Sequence, residues 1–313
     1  MTNRQKCAAR HPRSRALQGF AAAAALWLVL SAAAALPAPV DGVNIAPAST
    51  LRETHLALRA QLANNPFRQP LVVESTATPK TVKGDIFAVL PHAFGDVSGA
   101  LSEAANWCDI LILHLNTKYC KATPQPRATA LLMKVGKKYD EPLADSFQIN
   151  FVWRITDRQA DYLRVLLTAD EGPVGTHDYR IAVEAVALDD GTTFMHLSYT
   201  YGFGLMGKLA MMTYLATAGR SKVGFSTDDT GEGGQPRLVG GMRGVVERNT
   251  MRYHLAIESF LNARSTTGPA QFEKRITDWF VASERYPQQL HEMSQAEYLA
   301  MKRRENTRQQ SAR

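Results

Sequence analysis

The stretch that decides the fold is VGGMRGVVERNTMRYHLAIESFL, residues 239–261. At about 100° per residue its apolar side chains share one broad helical face. That face comprises Val239, Met242, Val245, Val246, Tyr253, Ala256, Ile257, Phe260 and Leu261. Gly240, Gly241 and Gly244 are weak helix formers, but they allow another backbone to come close. The pattern predicts one long amphipathic helix that must bury its apolar face against the rest of the chain.

The residues before this helix predict the surface that receives it. Short apolar or alternating segments bounded by turn sequences predict strands at 71–77, 81–90, 129–135, 147–155, 161–169, 178–188 and 192–203. Their connections are short, which favours antiparallel pairing. The predicted fold class is α+β, with a curved antiparallel sheet gripping the long C-terminal helix and extra C-terminal helices after it.

Helical spacing of apolar residues predicts further helices around this sheet. The predicted ranges are 50–62, 91–107, 205–218, 272–280 and 294–304. Residues 219–227 are predicted to form one more strand, and the polar, glycine-rich segment 228–236 a loop.

The N-terminal segment is typical of an export signal. Five basic residues (Arg4, Lys6, Arg10, Arg13 and Arg15) precede an apolar run at 19–36, and the triplet Ala33-Ala34-Ala35 fits a cleavage site. We therefore expect a signal peptide at 1–35 and a periplasmic or otherwise extracytoplasmic protein. An uncleaved membrane anchor is the alternative. The expected organisation continues with a linker at 36–49, one domain at 50–263 and a helical extension with a basic tail at 264–313.

The net charge excludes one class of function. The net charge of the whole sequence is +7. The expected signal peptide holds five positive residues and no acidic one, so the rest of the chain carries only +2. A nucleic-acid-binding protein needs a basic face in its folded part, and the pattern indicates none. The C-terminal basic residues could contact acidic lipid head groups, or they could simply be a solvated tail.

Two cysteines remain after the leader, Cys108 and Cys120. An oxidising compartment would allow them to form a disulfide. Two buried thiols are the alternative.

A glycine motif at 202–208 satisfies G-x-G-x-x-G and G-x-x-x-x-G-K. Leu209 stands where a P-loop needs Ser or Thr, and antiparallel flanking strands provide no β-α-β unit. We interpret it as a glycine-rich exit from a strand and predict no cofactor. The histidines lack metal-ligand spacing and no G-x-S-x-G motif is present, so we predict no metal site and assign no catalytic residue.

The remaining chemistry lies between sheet and helix. The candidate ligand-binding residues are Trp107, Phe151, Trp153, Tyr199, Tyr201, Phe203, Asn249, Arg252 and Tyr253. Each aromatic ring could equally be core. Asn249 lies on the apolar face and must bond either the sheet backbone or a ligand. Arg252 could hold an acidic head group or pair with Glu184 or Glu247.

The order of elements, with the segments WCDIL at 107–111 and ERNTMRY at 247–253, resembles the START-like (SRPBCC, helix-grip, polyketide-cyclase-like) superfamily. The resemblance covers about residues 50–263. It implies a cavity between the sheet and the C-terminal helix that holds an apolar ligand. The segment 205–236 and the helices after the long one depart from that pattern.

These observations lead us to expect an exported binding or carrier protein for a lipid or other hydrophobic small molecule, rather than an enzyme. One alternative is a cyclase or hydrolase using His196, Asn249, Arg252 and Tyr253, which requires these side chains to meet in one pocket. Another is a non-catalytic cell-envelope interaction protein, which a filled interior would favour.

Overall fold

The structure is a computed structural model that describes residues 47–217, 219–228 and 237–311. The expected signal peptide lies outside these residues, as does most of the expected linker. Within the described ranges, no helix has both the length and the apolarity needed to cross a membrane.

The helices are α1 Pro47–Ala63, α2 Phe94–Leu101, α3 Ala104–Leu111, α4 Leu205–Ala216, α5 Gly241–Asn262, α6 Pro269–Glu284, α7 Pro287–Leu290 and α8 Gln295–Ser311. The strands are β1 Leu71–Ala77, β2 Thr81–Leu90, β3 Thr117–Gln125, β4 Ala128–Val135, β5 Phe147–Arg158, β6 Tyr162–Glu171, β7 Thr176–Ala187, β8 Thr193–Phe203, β9 Thr227–Asp228 and β10 Arg237–Leu238.

One antiparallel sheet contains β1 to β8 in the order β1-β2-β8-β7-β6-β5-β4-β3. Register shifts in the pairs β3–β4, β5–β6 and β7–β8 add local bending. Helix α5 packs against β1, β2 and β8 on one face of this sheet and against α2, α3 and α6 on its other sides. The predicted fold class, a curved antiparallel sheet gripping a long C-terminal helix, is confirmed.

The two faces of the sheet bury different helices. On β8, Met195, Leu197 and Tyr199 belong to the core that contains α5. Phe194 belongs to a smaller cluster on the opposite face, which packs under α1. This is the outcome that strict alternation along a strand predicts.

Two glycines allow α5 to approach its neighbours closely. A Cβ on Gly84 of β2 would lie 2.5 Å from the Thr250 hydroxyl oxygen, and one on Gly244 would lie 3.0 Å from the Val239 carbonyl oxygen. Both distances are shorter than normal contacts. The absence of a side chain at Gly84 therefore sets the distance between helix and sheet, and its absence at Gly244 allows the segment around Val239 to approach α5.

One strand was missed, and two local predictions were wrong. Residues 117–125 form the edge strand β3, which the sequence pattern did not reveal because a charged residue at its start, Lys118, is fully buried and pairs with Glu305. The single helix predicted at 91–107 is two helices, α2 and α3, interrupted at Ser102 and Glu103. The strand predicted at 219–227 is reduced to the two-residue β9, which pairs with β10.

Cys108 and Cys120 form a disulfide between α3 and β3. The disulfide covalently links the edge strand β3 of the sheet to the preceding helix α3.

Replacing both cysteines by alanine should lower the free energy of unfolding by about 2–3 kcal/mol, because the bridge closes a short loop in the unfolded chain. Urea denaturation of the variant and of the oxidised wild type measures the difference. Reductant should shift only the wild-type midpoint. Equal midpoints for oxidised wild type and variant would contradict the assignment.

The C-terminal residues predicted as a solvated tail belong, up to Ser311, to helix α8. Its exposed arginines pair with acids: Arg303 with Glu273, and Arg304 and Arg308 with Asp140. Most of the positive charge at this end of the described chain is thus already matched.

A charged network lies on the outer face of the sheet, opposite α5. The His196 ring bonds Asp85 through Nε2 at 2.8 Å and Glu184 through Nδ1 at 3.4 Å. The Tyr162 hydroxyl donates to Glu184, and Phe87 stacks on the imidazole. Burial alone would lower the pKa of His196, but the two carboxylates outweigh it and raise the pKa. The imidazolium therefore crosslinks β2, β8 and β7.

Replacing His196 by glutamine should cost about 1.5–3 kcal/mol at pH 5.5 and less at pH 8.5. The raised His196 pKa contributes stability below its ordinary value of 6.5 that is lost as the pH rises through the folded-state pKa. The lowered pKa values of Asp85 and Glu184 contribute stability above 3.8 and 4.5 that is lost in acid. Urea unfolding across this range checks the sign, and a cost that is flat with pH would contradict it.

Candidate functional site

A cavity of about 380 Å³ lies between α5 and the sheet and opens to solvent. It sits where β4 ends, β5 begins and the turn between β6 and β7 approaches. The lining residues are His114, Asn116, Thr117, Met133, Val135, Gly136, Lys137, Glu141, Asp145, Phe147, Ile149, Phe151, Pro173, Tyr179, Tyr199, Asn249 and Tyr253.

One wall of the cavity is apolar. Met133 on β4 and Ile149 and Phe151 on β5 are almost fully buried, and all three line it. Phe151 meets Tyr179 of β7 edge to face. Alternation along β4 and β5 directs these side chains towards α5. The wall can therefore contact an apolar ligand but cannot hydrogen-bond one.

A second part of the lining, the polar end, includes His114 from the segment between α3 and β3. Its Nδ1 accepts a hydrogen bond from the Asn116 N–H at 3.2 Å, which assigns the hydrogen of the neutral ring to Nε2. Burial, with the charges of Arg252, Lys302 and Lys138, holds the pKa of His114 well below 6.5, although the Asn249 amide opposes the shift. Nε2 forms no hydrogen bond of normal geometry within the described residues. His114 is therefore a neutral donor.

Two tyrosine hydroxyls add to this polar end. Burial raises the pKa of both Tyr199 and Tyr253, so they stay protonated. Their rings meet edge to face, and the Tyr253 ring also lies 5.0 Å from that of His114. Neither hydroxyl bonds another described residue, whereas Tyr179 donates to Thr176. These groups can bond an oxygen on a ligand without bringing a net charge to it.

Charged residues lie near the opening instead. Lys137 and Asp145 are exposed, and so is the apolar Phe147. Glu141 is buried and accepts a hydrogen bond from the Lys137 backbone N–H at 2.7 Å. The lining thus carries two exposed charged side chains near the opening and one buried carboxylate, Glu141.

Four of the predicted ligand-binding residues line this cavity: Phe151, Tyr199, Asn249 and Tyr253. The others lie elsewhere in the core. Trp107 donates to the Leu101 carbonyl, Trp153 and Phe203 are buried outside the lining, and Tyr201 stacks on Tyr179.

Arg252 is buried and pairs with Glu292 at 2.9 Å. It does not line the cavity, and neither of its predicted acidic partners is the one it uses. Glu247 instead binds Ser75, Ser226 and the Phe225 N–H.

The polar set considered for an enzyme does not converge. Asn249 and Tyr253 line the cavity, but His196 is on the outer face of the sheet and Arg252 is directed to Glu292. The glycine motif joins β8 to α4, and both sheet neighbours of β8 are antiparallel to it. Nothing in the described ranges places three His, Cys, Asp or Glu side chains where they could hold a metal ion.

Four residues line the cavity although the sequence pattern did not predict them: His114, Met133, Ile149 and Tyr179. The available signal was a single histidine inside the apolar run 110–115. A lone histidine in such a run is commonly core, so only the fold reveals that it faces α5.

Comparison with known proteins gives only distant structural likenesses. No family model matches the chain, and neither does any curated protein. Human StAR-related lipid transfer protein 5 is similar with a TM-score of 0.31 and 6% identity, over 54% of this chain and 90% of that one. The di-domain ARO/CYC BexL from the BE-7585A biosynthetic pathway has a TM-score of 0.31 and 14% identity, over 74% of this chain and 57% of its own.

A conserved protein from Geobacillus kaustophilus has a TM-score of 0.31 and 12% identity, over 44% of this chain and 85% of that one. All three TM-scores are 0.31, and the sequence identities do not exceed 14%. Likenesses at this level do not assign the chain to a family, so its function must be argued from the cavity.

Proposed function

We propose that this chain is an exported protein that binds and carries one apolar small molecule of the lipid type. The observation that carries the proposal is the open cavity between α5 and the sheet, with an apolar wall and a neutral polar end. A core without function would be expected to fill such a space, because empty apolar volume is destabilising. Phe151, Tyr199, Asn249 and Tyr253 are the predicted residues that would contact the ligand.

The chemistry of the cavity narrows the ligand. The donors of the lining that bond no other described residue are the hydroxyls of Tyr199 and Tyr253, which suit a carbonyl, ester or hydroxyl oxygen at one end of the molecule. The volume lies at the lower end of the range for ligand sites, about 300–1,000 Å³. A single-chain lipid or a compact ring system is a better fit than a lipid with two full acyl chains.

The test is to express the whole precursor, purify the protein from the export compartment without detergent, and compare its native mass with the chain mass. Solvent extraction then identifies the bound molecule. We expect one apolar ligand per chain and an N-terminus at residue 36. A ligand-free protein that also fails to take up apolar probes would refute binding, and recovery only from the cytoplasm would refute export.

A further inference from the structure

Helix α4 presents apolar side chains to solvent. Leu205 is 83% exposed, Met206 66%, Leu209 57% and Met212 58%. Exposed single apolar residues are ordinary, but four large ones on one short helix form a patch that needs an occupant.

This patch continues to the rim of the cavity. The Gly204 N–H bonds the Gly175 carbonyl, and a Cβ on Gly175 would lie 3.7 Å from the Cβ of Met206. Gly175 ends the short turn Pro173–Gly175, whose first residue lines the cavity. Phe147, also at the rim, is 52% exposed. Apolar surface therefore extends from α4 across this turn to the opening.

The middle residue of that turn is strained. Val174 has φ 58°, in the left-handed region that a β-branched side chain rarely occupies, and its side chain is 48% exposed. Asparagine or glycine would be more stable there. An exposed valine in this conformation lowers the stability of the folded protein. A contact between its side chain and another molecule would account for its presence.

The charge of this region selects the occupant. Residues 193–226 contain no acidic residue and three basic ones, Lys208, Arg220 and Lys222. Lys208 and Arg220 are exposed, whereas Lys222 bonds the His291 carbonyl. Helix α4 thus combines apolar side chains with an exposed cation and no acid, which matches the surface of an anionic bilayer. The exposed acids Asp170, Glu171 and Asp178 lie on β6 and β7, which flank the turn, and not on α4.

We propose that α4, together with Val174, docks the protein on an anionic lipid membrane with the cavity opening at the lipid surface. Docking itself needs no ligand. Docking would allow an apolar molecule to pass directly between bilayer and cavity, and this role rests on the proposed function. The contact is made by α4 rather than by the C-terminal basic residues, because Arg303, Arg304 and Arg308 are paired with acids.

The test uses the full chain with Cys7→Ser and an environment-sensitive fluorophore on Leu209→Cys. Vesicles of phosphatidylglycerol and phosphatidylcholine in equal amounts should shift its emission to the blue, and pure phosphatidylcholine vesicles should do so far less. A label on Gln159→Cys, at the opposite end of the sheet, should not respond. Equal responses from both labels, or from neither, would overturn the proposal, even if the N-terminal segment binds the vesicles.

Three further variants, all with the label on Leu209→Cys, separate docking from folding. Met206→Glu/Met212→Glu should weaken vesicle binding about tenfold or more, since two apolar side chains lose their burial. Leu56→Glu, 58% exposed on α1, should bind like wild type. Val174→Asn should weaken binding while raising the free energy of unfolding, which a purely structural role for Val174 does not predict.

A blue shift that appears without vesicles and grows with protein concentration would make the patch a contact between copies of the chain and overturn the proposal. Ligand extraction without vesicles is independent of these results, so failure of docking and failure of the proposed function are distinguishable.

Discussion

Replacing Glu305 by alanine is expected to lower the free energy of unfolding by about 3–5 kcal/mol. Its two carboxylate oxygens bind Lys118 Nζ at 3.1 Å and Lys302 Nζ at 2.7 Å, and all three side chains are fully buried. Removing the acid leaves two ammonium groups without a counter-charge in the interior.

The penalty should depend on pH. Burial lowers the pKa of Lys302 to about 8, and Glu305 opposes that shift. Without Glu305 the folded-state pKa of Lys302 falls further below its ordinary value of 10.5. At low pH, protonation of Lys302 then favours the unfolded chain over the folded one. The loss of stability should therefore be larger at pH 6 than at pH 9.

The matched control is Glu273→Ala, which removes the exposed partner of Arg303 and should cost at most about 1 kcal/mol. Urea unfolding of both variants at the two pH values makes the comparison. Similar costs for the two acids would show that the buried cluster does not stabilise the attachment of α8.

This cluster also bears on the cavity. Lys302 Nζ donates to the carbonyl oxygens of His114 at 2.7 Å and Thr117 at 3.1 Å. Both of those residues line the cavity. A change at Glu305 should therefore loosen the polar end of the site, although Glu305 itself lies outside the lining.

Lys118 and Glu305 show why part of the fold could not be predicted. They are far apart in sequence, and a lysine within a short segment indicates an exposed position until its partner is known. By contrast, α5 and β8 follow from local periodicity, because the apolar side chains of each recur on one face. The periodicity does not predict that the polar face of α5 is also largely buried.

The same distinction applies to the site. Tyr199 and Tyr253 could be placed between sheet and helix from their periodicity, but so could Tyr201 and Phe203, which do not line the cavity. The face of a strand is a local property, whereas the position of a gap depends on how neighbouring elements pack. This is why Ile149 and His114 became visible as cavity residues only in the folded chain.

Filling the cavity gives the largest effect expected on function. Ile149→Trp should weaken binding of the neutral fluorescent probe N-phenylnaphthylamine by at least about tenfold, because the indole occupies the space that the ligand needs. Stability should fall little, since the larger side chain enters an existing void rather than a packed core.

The control is Asn150→Trp, which puts the same ring on the exposed face of β5 and should bind the probe like wild type. Fluorescence titration gives both affinities, and urea unfolding shows that both variants are folded. If Ile149→Trp binds as tightly as Asn150→Trp, the apolar probe is held somewhere other than between α5 and the sheet. If Ile149→Trp is folded and also loses its co-purifying ligand, the natural molecule binds in this cavity. The comparison is direct because the two variants differ only in the face of the strand that carries the indole ring.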